Sequence, residues 1–381
     1  MKKVVTLILG NLLVLGFLVF SMNTLSIAAI KVYNWTKPLE HAEAHLLPNY
    51  GGAEWARKHF SEYRELGEAD YAAYYGWRRP AFAGETINID ERGMRRTYRD
   101  RNVAPERTIA FFGGSTIWGT GADDDRTIPS EFVKLNPEYA GYNFGETGFV
   151  AHQSLNAFLE RYFEGFRPDV VVFYDGVNDV GKCRSEMGPY AHAREVEIRT
   201  ALHEAGGGAA SASFVLTVLP IRNLIGKVRR VLGNQSRAEA SFYDCHENPE
   251  KAAQIARVLL SDWLIVKNLV EAYGGTFVPI LQPVIYFSDT KADHLKLSES
   301  LRWQYEILYP LIVDMIDREF PQLAGNFMDL RDALDRDEYF YIDWCHLSPN
   351  GNHLVAERIS QGIAARTGKA MAARSWSGSD R

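Results

Sequence analysis

The chain has 381 residues, 46% of them hydrophobic and 12% aromatic, enough to bury a substantial core in one large domain with additions or in two domains. A formal net charge of −6 carries none of the basic excess that marks a nucleic-acid binder. The 3 cysteines, Cys183, Cys245 and Cys345, exclude a disulfide scaffold and a four-cysteine zinc site.

Met1-Lys2-Lys3 precedes an uncharged stretch rich in Leu and Val, from Val4 to Phe20, and no charge follows until Lys31. About 20 apolar residues span a bilayer, and lysines on the short side keep the amino terminus cytoplasmic. Residues 1–31 are therefore predicted to be a transmembrane signal-anchor of the inner membrane, with the body on the periplasmic side. A cleaved signal peptide is the rival reading; its small-residue cleavage signal, near Ser26 to Ala29, is weak. In either case the body is extracytoplasmic, where one disulfide can form and one thiol is left over.

Residues 32–107 form a predicted amino-terminal extension. Its first part, 32–75, is rich in Tyr, Trp, His, Glu and Ala and reads as one or two amphipathic helices whose aromatic clusters pack on the main domain. Alternation at Ile87 and Ile89, with a turn at Gly93 and a second polar run to Thr97, then predicts a β-hairpin. Arg92, Arg95 and Arg96 are expected on its solvated edge, the other reading being contact with an anionic substrate.

From Thr108 the chain alternates strand and helix. An apolar run at 109–112 has the length of a buried parallel strand, and Gly113-Gly114 breaks it before Ser115. Further elements follow in order: a helix near 128–136, a strand at 142–144, a helix at 152–165 and a strand at 169–174. A long helix at 248–273, a strand at 276–281, a helix at 297–318, a short strand near 327–328 and a closing helix at 349–366 complete the set. This alternation predicts an α/β fold, a doubly wound parallel sheet covered by helices. Open sheets of that kind carry their chemistry beyond the carboxyl ends of the strands.

Four short blocks fall at those ends: Gly113-Gly114-Ser115, Asn143-x-Gly145-x-x-Gly148, Gly176-Val177-Asn178-Asp179 and Asp343-x-x-His346. Each alone has a plain structural reading as a glycine turn, an Asx turn or a capped helix start. Together they bring a serine, a histidine and an aspartate to one edge of the sheet. A serine hydroxyl becomes a nucleophile when an imidazole takes its proton, and a carboxylate on the other ring nitrogen fixes the tautomer.

In their order and spacing these blocks resemble those of the SGNH hydrolases, the GDSL esterase/lipase superfamily, in a bacterial membrane-anchored form. The resemblance implies a flavodoxin-like three-layer sandwich over 108–370. It also implies Ser115 as nucleophile, His346 as general base and Asp343 as its orienting partner. The oxyanion hole would be the Ser115 and Gly148 amides with the Asn178 side chain. One departure is visible: the aspartate that usually precedes the serine is Gly114 here. No cofactor is implied. Asp343, His346 and His353 could in principle hold a metal, but no convincing further ligand accompanies them, and no metal is expected.

An insertion over 184–247 interrupts the alternation, with a glycine-rich connector from Gly206 and an apolar stripe from Phe214 to Leu232 that also carries Lys227, Arg229 and Arg230. It reads as a lid, as a surface for anionic lipid, or as a helix packed on the core. Residues 371–381 read as a disordered tail. Cys183 can pair with Cys245 or Cys345. The expected activity is that of an extracytoplasmic serine esterase working through an acyl-enzyme on O-acetyl esters of carbohydrate. An O-acetyltransferase, a lipid esterase or a non-catalytic envelope binding protein is the alternative. Partners are a small-molecule or carbohydrate ester and the membrane, with no nucleic acid.

Overall fold

The computed structural model describes residues 10–11, 14–28, 43–67, 69–206 and 243–367. Residues 41–195 and 243–381 fall in one compact unit; residues 1–40 and 196–242 fall in another. In the second unit, residues 14–28 are helical, and a helix over Glu195–Gly206 runs into it. Among the described residues no helix is long and apolar enough to cross a membrane. Residues 1–9, 12–13 and 29–31 of the predicted anchor, the apolar stripe of the insertion and the tail at 371–381 lie outside the described residues.

The main unit begins with helix α1, Glu54–Glu65, and two short antiparallel pairs. Strand β1, Asp70–Ala72, pairs with β2, Gly76–Arg78; strand β3, Phe82–Ala83, pairs with β4, Asn88–Ile89. The tyrosine-rich stretch expected to be helical is thus a hairpin. Tyr71 faces Trp77 across it, and Gly76 takes a left-handed φ of +95°, which ends any helical continuation. The predicted hairpin over 87–97 shrinks to a single Ile89–Arg95 bridge, because Asn88 and Ile89 find their partners upstream instead.

Strand β5, Arg107–Gly113, leads through helix α2, Ser115–Trp118, to helix α3, Ile128–Leu135. Thr127 caps α3 by accepting the Ser130 amide, with proline in the first turn. Then come strand β6, Tyr139–Asn143; helix α4, Ala151–Phe163; strand β7, Val170–Asp175; and the Glu195–Gly206 helix, α5. Helix α6, Pro249–Ala272, strand β8, Thr276–Leu281, helix α7, Glu299–Arg318, and helix α8, Pro321–Ala324, follow. Strand β9, Met328–Asp329, and helix α9, Pro349–Thr367, close the chain.

The five strands β6-β5-β7-β8-β9 form one parallel sheet, all neighbours in parallel register. Counted from β5, this is the order 2-1-3-4-5 of flavodoxin-like sheets, whose switch point lies between β5 and β7. Alternate residues of each strand enter opposite core layers. Ala110, Phe112, Val171 and Phe173 pack against α4, α6 and α7 through Phe158, Trp263 and Leu308. Ile109, Phe111, Val170 and Val172 pack against α3 and α9 through Phe132, Val355 and Ile359. With both faces covered, the central strands read as unbroken apolar runs.

Cys183 and Cys245 form a disulfide, and Cys345 is a buried free thiol. The bond closes 62 residues of sequence separation and ties the turn after β7 to the segment that starts α6. In the chain-entropy account a loop of that size restricts the unfolded state by about 4 kcal/mol.

Candidate active site

Ser115 sits where β5 turns into α2, and two glycines make the turn possible. Gly113 has φ +152°, and a Cβ there would lie 2.4 Å from the Tyr174 carbonyl oxygen of β7. A Cβ on Gly114 would lie 2.4 Å from the Asn178 Nδ2. Glycine at position 114 therefore leaves room for the Asn178 amide against the turn that carries the serine. The next block supports the same turn from below: Asn143 Nδ2 donates to the Ile117 carbonyl at 3.0 Å, and its Oδ1 accepts the Gly145 amide at 3.0 Å. Gly145 itself must be small, since a Cβ would meet the Trp118 nitrogen at 2.6 Å.

Asp343 and His346 lie on a tight turn between β9 and α9. A Tyr341–Leu347 bridge and a 2.9 Å bond from the Ile342 amide to the His346 carbonyl close it. Asp343 Oδ1 accepts the amides of Cys345 at 2.9 Å and His346 at 2.8 Å. That Asx arrangement aims Oδ2 at His346 Nδ1, 2.5 Å away, while His346 Nε2 stands 2.6 Å from Ser115 Oγ. Burial alone would raise the Asp343 carboxyl, but the imidazole charge and the hydrogen bonds from His346 and the Cys345 amide carry it down to about 2. Asp343 thus stays ionised at any pH where an imidazole is neutral. Its stabilising contribution is present above the unfolded carboxyl value of about 3.9 and is lost as pH falls toward 2.

Of the proposed oxyanion donors, Gly148 is held at φ +79° against the Trp77 ring, and Asn178 Nδ2 donates one hydrogen to the Phe149 carbonyl at 2.8 Å. The primary amide retains a second hydrogen for a ligand. Trp77 Nε1 donates to the Thr147 carbonyl at 2.9 Å, so the β1–β2 hairpin braces the Gly148 turn.

The metal alternative is not assembled as the sequence allowed. His353 turns to Glu131, 2.9 Å from its Nδ1. Asp343, Cys345 and His346 do bring one ligand atom each within 4.8 Å. Burial pushes the Cys345 thiol well above its usual range, and both His346 nitrogens already face Asp343 and Ser115.

Several supporting residues carried no sequence signal. The loop leaving α2 is clamped by side chains of the amino-terminal extension. Arg95 donates to the carbonyls of Trp118, Gly119 and Ala122 at 2.9, 2.6 and 2.7 Å. Tyr50 donates its hydroxyl to the Gly121 carbonyl at 2.7 Å. His59, which burial drives down to about 3 and therefore keeps neutral, donates Nε2–H to the Thr120 carbonyl at 2.9 Å. Far from a solvated edge, Arg95 is fully buried and ion-paired with Asp124 at 3.0 Å, a correction to the expectation from sequence. Arg92 and Arg96 do stay near solvent, paired with Glu164 and Asp125. His152 begins α4 as expected and bonds Asp262 at 3.0 Å.

Asp175, at the end of β7 just before the Asn178 turn, is fully enclosed and accepts from Trp263 Nε1 at 3.0 Å and Ser154 Oγ at 3.2 Å. Burial, reinforced by the Asp179 charge, pushes its carboxyl up to about 8. The folded protein then holds a proton that the unfolded chain releases near pH 3.9, so stability from this group falls as pH rises from about 4 to about 8. Asp175→Asn, which keeps the shape of the neutral acid, is expected to flatten that decline. The check is urea unfolding at pH 6 and pH 9: wild type should lose more stability between them than the variant, and equal losses would show Asp175 ionised in the fold.

No protein-family model and no curated protein matches the chain. Solved structures to which it is similar include an acetyl xylan esterase, at 16% identity and TM-score 0.38, covering 67% of this chain and 99% of that one. Another is a carbohydrate acetylesterase family member from Sinorhizobium meliloti, at 14% identity and TM-score 0.37, covering 69% and 99%. A third is an acetylxylan esterase from Geobacillus stearothermophilus, at 14% identity and TM-score 0.37, covering 72% and 99%.

Proposed function

We propose that this chain is an ester hydrolase of the SGNH type, a serine esterase that cleaves acetyl esters of carbohydrate through an acyl-enzyme. The observation that carries the reading is the continuous hydrogen-bonded line Asp343–His346–Ser115 at the carboxyl edge of a parallel sheet. In the reaction Ser115 Oγ attacks the ester carbonyl carbon while His346 Nε2 takes the hydroxyl proton. The carbonyl oxygen becomes an oxyanion facing the Ser115 and Gly148 amides and Asn178 Nδ2. When the intermediate collapses, the carbon–oxygen bond of the alcohol breaks and His346 returns the proton to the departing sugar hydroxyl. Water, deprotonated by His346, then attacks the acyl-serine; acetate leaves and the serine regains its proton.

The space next to Asn178 supports a compact substrate. A cavity of about 150 Å³ opens next to Asn178 and Trp344, too small for a long lipid chain, and its lining includes the aromatic side chains of Tyr243, Tyr305 and Trp344, against which a sugar ring would pack. The Cys183–Cys245 disulfide supports an oxidising, extracytoplasmic setting, to which residues 1–31 would anchor the chain. Asn178→Ala is expected to lower kcat by roughly 100- to 1000-fold with little change in KM, because the lost donor matters most once charge has developed on the oxygen. Steady-state hydrolysis of 4-nitrophenyl acetate reads this; a change confined to KM would remove Asn178 from the oxyanion site.

The reading is tested by fluorophosphonate labelling of the full-length chain followed by peptide mass spectrometry. Adduct is expected on Ser115 and not in the His346→Ala chain. A folded chain that takes up no label, or takes it elsewhere, would overturn the assignment.

A further inference from the structure

The cavity beside the triad has a charge pattern that the hydrolytic mechanism does not use. Asn178 lines it together with Trp344, whose ring lies 6.4 Å from that of His346, and Arg184 lines it as well. Among the described residues no carboxylate lines it. Of the other lining groups able to carry positive charge, Lys182 is buried and neutralised by Asp179 at 2.8 Å. Burial lowers the His192 imidazole, which leaves it mostly neutral near pH 7. Arg184 alone in the cavity brings an unspent charge: among the described residues its guanidinium makes no hydrogen bond and no ion pair, and it lies 6.0 Å from the centre of the Tyr243 ring.

The backbone that carries this arginine is held at three points. Cys183 beside it is disulfide-bonded to Cys245, Arg184 itself bridges to Tyr243, and Lys251 Nζ donates to the Arg184 carbonyl at 2.7 Å. A guanidinium on a pinned segment, exposed and without a carboxylate of its own, suits a planar anion, since it offers paired donors in a fixed fork.

We propose that Arg184 recognises a carboxylate on the substrate, so that the preferred ester is an acetylated acidic sugar, a uronate residue, rather than a neutral one. This rests on the esterase reading above and deepens it. The aromatic walls would hold the pyranose ring, Asn178 would face the ester oxygen, and Arg184 would pair with the carboxylate. A partly exposed pair of this kind is worth roughly tenfold in affinity and weakens with salt.

The test compares two forms of one polymer, acetylated pectate and the same material with its carboxyls methyl-esterified, with acetate release as the readout. Wild type is expected to show a KM roughly tenfold lower for the acidic form at low salt. Arg184→Gln should abolish that preference, Arg184→Lys should restore part of it, and neither should alter hydrolysis of 4-nitrophenyl acetate. Equal KM values for the two polymers in wild type, or a preference that survives in Arg184→Gln, would overturn the proposal. If wild type hydrolyses no ester at all, the esterase reading fails separately. Binding of trigalacturonate to the full-length Ser115→Ala chain, measured by titration calorimetry, then decides: binding lost in Arg184→Gln upholds the anion site, and no binding overturns it.

Discussion

Ser115→Ala and His346→Ala are each expected to lower kcat on short acetyl esters by on the order of 10⁴-fold or more, with KM nearly unchanged. The geometry gives the reason. Ser115 Oγ stands 2.6 Å from His346 Nε2, and His346 Nδ1 stands 2.5 Å from Asp343 Oδ2, so the proposed triad would act as one unit. Removing the serine removes the bond-forming atom; removing the histidine leaves a hydroxyl whose proton has nowhere to go. Because they act together, the double variant should be hardly worse than either single one. Asp343→Asn should fall by less, since its main task is to hold the ring by one nitrogen and stabilise the imidazolium. Kinetics on 4-nitrophenyl acetate, with circular dichroism to confirm folding, separates these cases. A His346→Ala chain that kept a tenth of wild-type kcat would show that another base serves Ser115.

Arg95→Ala is expected to cost about 3–5 kcal/mol of stability, the range for removing one partner of a buried ion pair. Asp124 would be left almost wholly buried with Arg96 and Asn88 but without its principal counter-charge. The carbonyls of Trp118, Gly119 and Ala122 would lose their shared donor, and Trp118 would lose the guanidinium stacked 4.2 Å above its ring. Those carbonyls belong to the loop that leaves the Ser115 helix, so kcat should fall along with stability. Urea unfolding and ester kinetics on the same preparation check both effects. Unchanged stability would mean that Tyr50 and His59, which hold the neighbouring carbonyls, suffice without Arg95.

The alternation of strand and helix from Thr108 onward was legible in the sequence because the central parallel strands are buried on both faces and each covering helix on one. Period and length alone then predict the type of element, and the five sheet strands lie within a few residues of where the apolar runs place them. Ser115, Asn178, Asp343 and His346 stood out as candidates from glycines and short polar turns at strand ends and from the family resemblance of those blocks, and the fold brings Ser115, His346 and Asp343 within hydrogen-bonding distance. The partners those residues need were not legible. Arg95 reads in sequence as one more charge in a polar run, and only the close packing of the extension on the Ser115 turn encloses it. Tyr71 and Trp77 form a strand pair because each finds the other, a contact that no local propensity contains.

Which two cysteines join was likewise left open by the sequence and is decided by the fold, which brings Cys183 and Cys245 within 5.1 Å between Cα atoms and buries Cys345 behind His346. Sequence by itself determined the layered sheet and the residue types at its carboxyl edge, because burial periodicity and turn chemistry act over a few neighbouring residues. Tertiary structure alone decided the register of Ser115, His346 and Asp343, the clamp on the loop after Ser115 and the Arg184 guanidinium left without an ion pair among the described residues. Charge pairing and hydrogen bonding depend on distances across the fold, between residues that are far apart in the chain.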